Sequence, residues 1–187
     1  MFREEFISSV RKDPPTKLLA EWLSTSQVVA CKTTDDYQQF KEKVAGTFEG
    51  VTRVEIVGSG NWGYSLNPKK AFKPFDHASD IDVAVVSPAE FEETWKHLRA
   101  YQRSVYYSLS QNDKVSMVGV GNNVYCGFVS PAWAPIGKVP IRLPFQRKCN
   151  ELSSQLVGYK PVKIMFFKSS TELFDYYKRG ILAARKD

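Results

Sequence analysis

Two carboxylates stand one residue apart inside an apolar run. "SDIDVAVVS" (Ser79 to Ser87) carries Asp80 and Asp82. Side chains alternate along a β-strand, so residues two apart point to one face. Two like charges held that close repel, and burial makes neither easy to keep ionised. A divalent cation resolves the conflict. Mg²⁺ takes oxygen ligands and is typically held by one or two carboxylates completed by phosphate oxygens; Mn²⁺ suits the same ligands. The competing structural reading makes Asp80 a turn cap and Asp82 an exposed strand residue. Upstream, "VEIVGSGNWG" ends an apolar strand on Gly58 and Ser59. Glycine there allows positive φ and close approach of a ligand to the backbone. Free N–H groups and a serine hydroxyl would make a phosphate cradle, and the alternative is a tight turn. Gly60, Asn61 and Gly63 extend what reads as a polar, flexible turn. It is neither a Walker loop, since no Gly-Lys-Ser/Thr follows, nor the G-x-G-x-x-G dinucleotide fingerprint.

These residues need rigid elements to position them. The sequence predicts two short N-terminal helices, "MFREEFISSVRK" and "PTKLLAEWLS", separated at Pro14 and Pro15. A third, "TTDDYQQFKEKVAGTF", has Thr33 as N-cap and Asp36 three residues on. Val54 to Val57 and Ile81 to Val86 read as strands. The helix after them is capped by Ser87, with Pro88 at its first position and Glu90 closing a capping box. "KVSMVGV" and "NNVYCGFVS" read as a hairpin around Gly121-Asn122-Asn123, which leaves Asp113 in a turn. "FQRKCNELSSQLVG" reads as a helix stopped by Gly158, "KPVKIMFFKS" as a last strand, and "TELFDYYKRGILAARK" as a helix capped by Ser169 with Glu172. The order predicts one α/β (α+β) domain over residues 1–187: N-terminal helices to 50, a sheet-bearing core over 51–168, and a C-terminal helix over 169–187.

"VGSG" followed by "SDIDVAVV" resembles the nucleotidyltransferase superfamily, with its DNA polymerase β-like fold of a mixed sheet flanked by helices. The motif covers Val54 to Ser87, and the wider fold would extend to Phe167. The resemblance implies that Gly58 and Ser59 hold a nucleoside triphosphate, with ATP the expected one. It implies that Asp80 and Asp82 hold Mg²⁺ or Mn²⁺, and that a nucleotidyl group passes to an acceptor with loss of pyrophosphate. Small stand-alone members suggest a toxin–antitoxin or phage-defence setting, with a protein partner encoded beside them.

Two features depart from that family. Asp80 lies 21 residues after Ser59, and the excess, "NPKKAFKPFDHA", carries Lys69, Lys70, Lys73, Asp76 and His77. The lysines could meet phosphates or form a solvated face. Trp62, Tyr64, Phe72 and Phe75 suggest that the loop packs down, with base stacking as the alternative. Family members also bring a third carboxylate from a later strand. The matching position in "PVKIMFF" is Lys163, and the other downstream acids (Asp113, Glu151, Glu172 and Asp175) fall outside strands. Lys163 could stand in for a cation, pair with Asp82 or meet phosphate.

Composition narrows the rest. Hydrophobic residues make up 43% and charged residues 25% of the 187, ordinary for a globular protein. No apolar run is long enough to span a bilayer, and the N-terminus does not read as a signal peptide. Cys31, Cys126 and Cys149 show neither a zinc spacing nor a disulfide framework, which fits a cytoplasmic setting. The net charge of +6 favours anionic partners or is a solvated basic surface. Two rivals to the enzyme therefore stand: a catalytically degenerate nucleotide-binding or regulatory subunit, supported by Lys163, and a nucleic-acid-binding module without chemistry, supported by the charge. "KRGILAARK", the tyrosine pairs 106–107 and 176–177, and the proline-rich "VSPAWAPIGKVPIRLPF" read first as surface, packing and connecting segments.

Overall fold

The computed structural model describes residues 2–186. Helices α1 (Arg3–Lys12), α2 (Pro15–Ser24) and α3 (Thr34–Thr47) precede strand β1 (Arg53–Val57). A one-turn helix α4 (Ser59–Trp62) and a long loop lead to β2 (Ile81–Val86). Helices α5 (Pro88–Val105) and α6 (Gln111–Tyr125), a two-residue strand β3 (Phe128–Val129) and α7 (Arg142–Leu152) come next. Strand β4 (Val162–Phe167) and α8 (Ser170–Ala184) close the described chain. The result is a mixed α/β architecture with one four-stranded sheet in the order β1-β2-β4-β3. β1 runs antiparallel to β2, β2 parallel to β4, and β3 antiparallel to β4.

Both faces of the sheet are covered, which explains why β2 reads as a nearly unbroken apolar run. On one face Ile56, Val83, Val85, Ile164 and Phe166 pack with residues of α3, α5 and α7. On the other, Val57, Ala84, Val86 and Phe167 pack with residues of α1, α2 and α8. Asp82 and Lys163 are neighbours in the β2/β4 register, in phase with the second set. The edge of β1 is closed by α3: Tyr37 Oη accepts the N–H of Ile56 (3.4 Å) and donates to Glu55 (2.8 Å). Glu55 is buried, and its charge is met by Lys41 (3.2 Å) and Arg53 (3.0 Å). Among the described residues no helix is long and apolar enough to cross a membrane.

Several local expectations are corrected. Residues 111–125 form helix α6, not the first half of a hairpin. Ser110 caps it by accepting the N–H of Asp113 (3.2 Å), so Asp113 lies in a first helical turn. The alternation "VSMVGV" suggests a strand, but in helix α6 Val115 and Val118 are exposed and only Val120 of the three valines is buried. Only Phe128 and Val129 of the expected second strand join the sheet. Helix α7 begins at Arg142 and ends at Leu152. Pro144 is tolerated in its first turn, where N–H groups have no intrahelical partner. Gly158 instead ends a separate short turn, at φ 61°. Ser87 caps α5 as expected, but Glu90 does not close the box: its carboxylate accepts the N–H of Glu49 (3.0 Å) and so ties α5 to the segment before β1. At α8, the Ser169 hydroxyl accepts the N–H of Thr171 and bonds the Glu172 carboxylate directly. Thr33 and Asp36 do form the reciprocal box.

Candidate functional site

Strand β1 ends at Val57, and Gly58 turns the chain at φ 65°, ψ −153°, a region open essentially to glycine alone. Space demands glycine as well. A Cβ there would lie 3.2 Å from Asp82 Oδ2. Gly60 and Asn61, read from the sequence as part of a polar turn, are buried and hydrogen-bonded to their surroundings. Asn61 is buried, and its amide donates to Trp22 O (3.0 Å) and Ile56 O (2.9 Å), clamping α4 to α2 and β1. Ala30 N–H donates to Gly60 O at 2.8 Å.

Gly58, Ser59, Asp80 and Asp82 all line one cleft of about 780 Å³. Asp80 immediately precedes β2 and Asp82 is its second residue. The long loop contributes Ser65, Leu66, Lys70 and Lys73 to its lining. The end of α6, with Asn122, Asn123 and Cys126, and a stripe of α8 that includes Tyr176 and Arg179 contribute further polar lining. Met165 and Trp62 also line it. Trp62 is buried against Trp22 (ring centroids 4.7 Å apart), and among the described residues its Nε1–H has no hydrogen-bond partner.

The electrostatics centre on the aspartates. Burial, reinforced by the charge of Asp80, pushes the Asp82 carboxyl up to about 6, against the opposing pull of Lys163 and Lys70. Lys163 is paired with Asp80 and not, as the sequence reading has it, with Asp82, and that hydrogen bond raises its own pKa. Tyr176 is raised by burial and by the charge of Asp82. Asp76 goes the other way: hydrogen bonds from Lys73 and Ser79 hold it down to about 2.

The donor set fits a single hard cation. Two carboxylates line one cleft, each with oxygen ligands to offer, and one is destabilised as an anion where it stands. A Mg²⁺ or Mn²⁺ ion so held would still need ligand oxygens from elsewhere. Among the described residues no group of three or more His, Cys, Asp or Glu gathers as a metal site. The position expected for a third carboxylate is Lys163, directly across from Asp82 in the register.

Other sequence-selected residues divide. Lys70 and Lys73 line the cleft and Lys69 does not; Lys73 is tied to Asp76 at 2.9 Å. Phe72 packs on Phe6, and Phe75 lies under Lys160, so these loop aromatics are structural. Within "KRGILAARK", Arg179 reaches the cleft, whereas Arg185 is spent on the carbonyls of Val10 (2.7 Å) and Asp13 at the end of α1. The proline-rich segment packs Ala134 and Val139 into the core and does not line the cleft. The sequence does not point to Asn122, Asn123 and Cys126, because their segment reads as a hairpin while the structure makes it the end of α6. The Ser-x-x-Asp cap at Ser110 and Asp113 was the available signal for a helix.

No family model, no curated protein and no solved structure matches the chain.

Proposed function

We propose that this protein is a nucleotidyltransferase of the polymerase β-like kind, taking an NTP, with ATP first, as donor. The observation that carries the reading is the convergence on one cleft of the Gly58–Ser59 turn and the Asp80/Asp82 pair, which lie on different strand ends and 21 residues apart. Asp82 and Asp80 would hold Mg²⁺ or Mn²⁺, which when bound supplies charge neutralisation for the phosphoryl oxygens. The Ser59 hydroxyl and the backbone beside Gly58 would orient the triphosphate. Lys70 and Arg179, which both line the cleft, would offer cations to its oxygens. A fixed array of this kind accelerates phosphoryl chemistry by position and electrostatics.

A second reading has a specific observation behind it. Lys163 stands where a third carboxylate would be expected and neutralises Asp80. On that reading the cleft binds a nucleotide and does not transfer it. Incubation with each α-labelled NTP and Mg²⁺ or Mn²⁺ tests both. Label transfer with pyrophosphate release supports the enzyme. Metal-dependent nucleotide binding without release supports the binding subunit. Absence of nucleotide binding by the folded protein overturns both.

A further inference from the structure

A single ammonium group gathers the carbonyls of the turn that leads into Asp80. Lys160 Nζ donates to Asp76 O (2.7 Å), to His77 O (2.9 Å) and, at 3.5 Å, to Ser79 O. Its three donors are thus all directed at one four-residue turn more than 80 residues away in sequence. The same ammonium lies 4.9 Å from the centre of the Phe75 ring, a favourable place for a cation.

The turn is also held from within. Asp76 N–H donates to Ser79 Oγ (3.0 Å), Ser79 Oγ donates to Asp76 Oδ1 (2.9 Å), and Ala78 N–H donates to Asp76 Oδ1 (3.0 Å). Ala78 and Ser79 line the cleft beside Asp80. At the far end, Ile81 N–H donates to Pro161 O (2.8 Å), the first link between the segments that become β2 and β4. Asp80 is therefore suspended between a turn gripped by Lys160 and a strand whose first backbone bond goes to the residue after Lys160. Three convergent carbonyls are the ligand type that hard cations take, and here the chain's own ammonium takes that place.

We infer that Lys160 is a positioning residue for Asp80: it locks the 76–79 turn so that the Asp80 carboxylate is presented to the cleft and to Lys163. The inference rests on the nucleotide-and-metal reading of the cleft for its functional consequence, and on the Asp80–Lys163 pair for its structural one. Lys160→Met keeps the aliphatic stem and removes the donors. In the full chain with ATP present, Mn²⁺ affinity measured by paramagnetic resonance is expected to fall by about 10-fold, the scale seen when a partner orienting a metal ligand is lost. Hydrogen exchange of the interior β2 and β4 amides should stay as in the wild type, while the 78 and 79 amides exchange faster. The Lys163 ammonium resonance, followed by nitrogen-15 NMR in the metal-free protein, should shift as Asp80 is released. Lys160→Gln, which retains two donors, should lie between wild type and Lys160→Met in each measurement, and serves in its place if Lys160→Met does not fold. Unchanged Lys163 resonance and unchanged Mn²⁺ affinity, with only the turn loosened, would overturn the positioning role. A wild type that binds no Mn²⁺–ATP sinks the functional reading of the cleft. The Lys163 resonance alone then decides whether Lys160 positions Asp80.

Discussion

Lys163 on β4 lies directly across from Asp82 on β2, yet its ammonium is paired with Asp80. The lysine thus occupies one aspartate and leaves the other, whose carboxyl burial pushes up to about 6, only partly compensated. This division has consequences that separate a metal site from a plain ion pair. Lys163→Ala should free Asp80 for a cation, and Lys163→Asp should add a third carboxylate. We expect Mg²⁺ or Mn²⁺ affinity to rise about 10-fold for the alanine variant, equivalent to about 1.4 kcal/mol, and further for the aspartate variant, together with gained or increased nucleotidyl transfer. Calorimetric titration of the metal checks the first and the label-transfer assay the second. Robust transfer by the wild type that Lys163→Asp abolishes would make the lysine a working part of the site.

Gly58→Ala tests the close approach of the turn to Asp82. The residue sits at φ 65°, ψ −153°, and the new methyl would be 3.2 Å from Asp82 Oδ2. Backbone placed in such a region by a non-glycine residue costs about 1–3 kcal/mol. Urea denaturation should show a loss of that size. Nucleotide binding should fall as well, since Asp82 must give way. A variant as stable as the wild type would mean that the turn relaxes freely.

The pH dependence of stability follows from Asp82. Its carboxyl is raised from 3.8 to about 6, chiefly by burial. The folded protein therefore binds this proton more tightly than the unfolded chain does. Its contribution to stability is fully present below pH about 4 and is lost as pH rises through about 6. Over that range the shift corresponds to about 3 kcal/mol at most. In metal-free buffer, Asp82→Asn should be more stable than the wild type at pH 8, and the difference should shrink towards pH 4. Denaturant melts at both pH values measure it, and a difference independent of pH would contradict the assignment. Added Mg²⁺ should narrow the gap at pH 8 by stabilising the wild type only.

Cysteine chemistry separates the cleft from the core. Burial pushes the Cys31 and Cys149 thiols up to about 11, and both side chains lie in the core. Thiolate is the reactive form, so both should resist iodoacetamide in the native protein. Cys126 is only partly buried, lines the cleft, and accepts a hydrogen bond from Arg179 at 3.3 Å. Peptide mass spectrometry after brief alkylation should find Cys126 modified first, and ATP with Mg²⁺ should slow that modification. Equal labelling of all three without denaturant would contradict the described burial.

Strands β1, β2 and β4 and the in-phase placement of Asp82 and Lys163 were legible in the sequence, and Asp80, which precedes β2, lines the same cleft as Asp82. The reason is local: apolar runs mark the strands, and a period of two decides which side chains share a face. The proline break between α1 and α2 and the Thr33–Asp36 cap were legible on the same grounds. The contribution of α6 to the cleft was not. Asn122, Asn123 and Cys126 lie at the end of a helix whose valines at 115 and 118 face solvent while Val120 is buried, so residues of one type divide between solvent and core and the pattern does not mark the buried side. Tertiary packing alone decided that Arg179 enters the cleft while Arg185 ties α8 to α1, since both lie in one basic tail. It also decided that Lys160 grips a turn more than 80 residues away. A lysine's donors leave no trace of their acceptors in the sequence. Only the folding of β4 alongside β2 brings that ammonium to the carbonyls before Asp80.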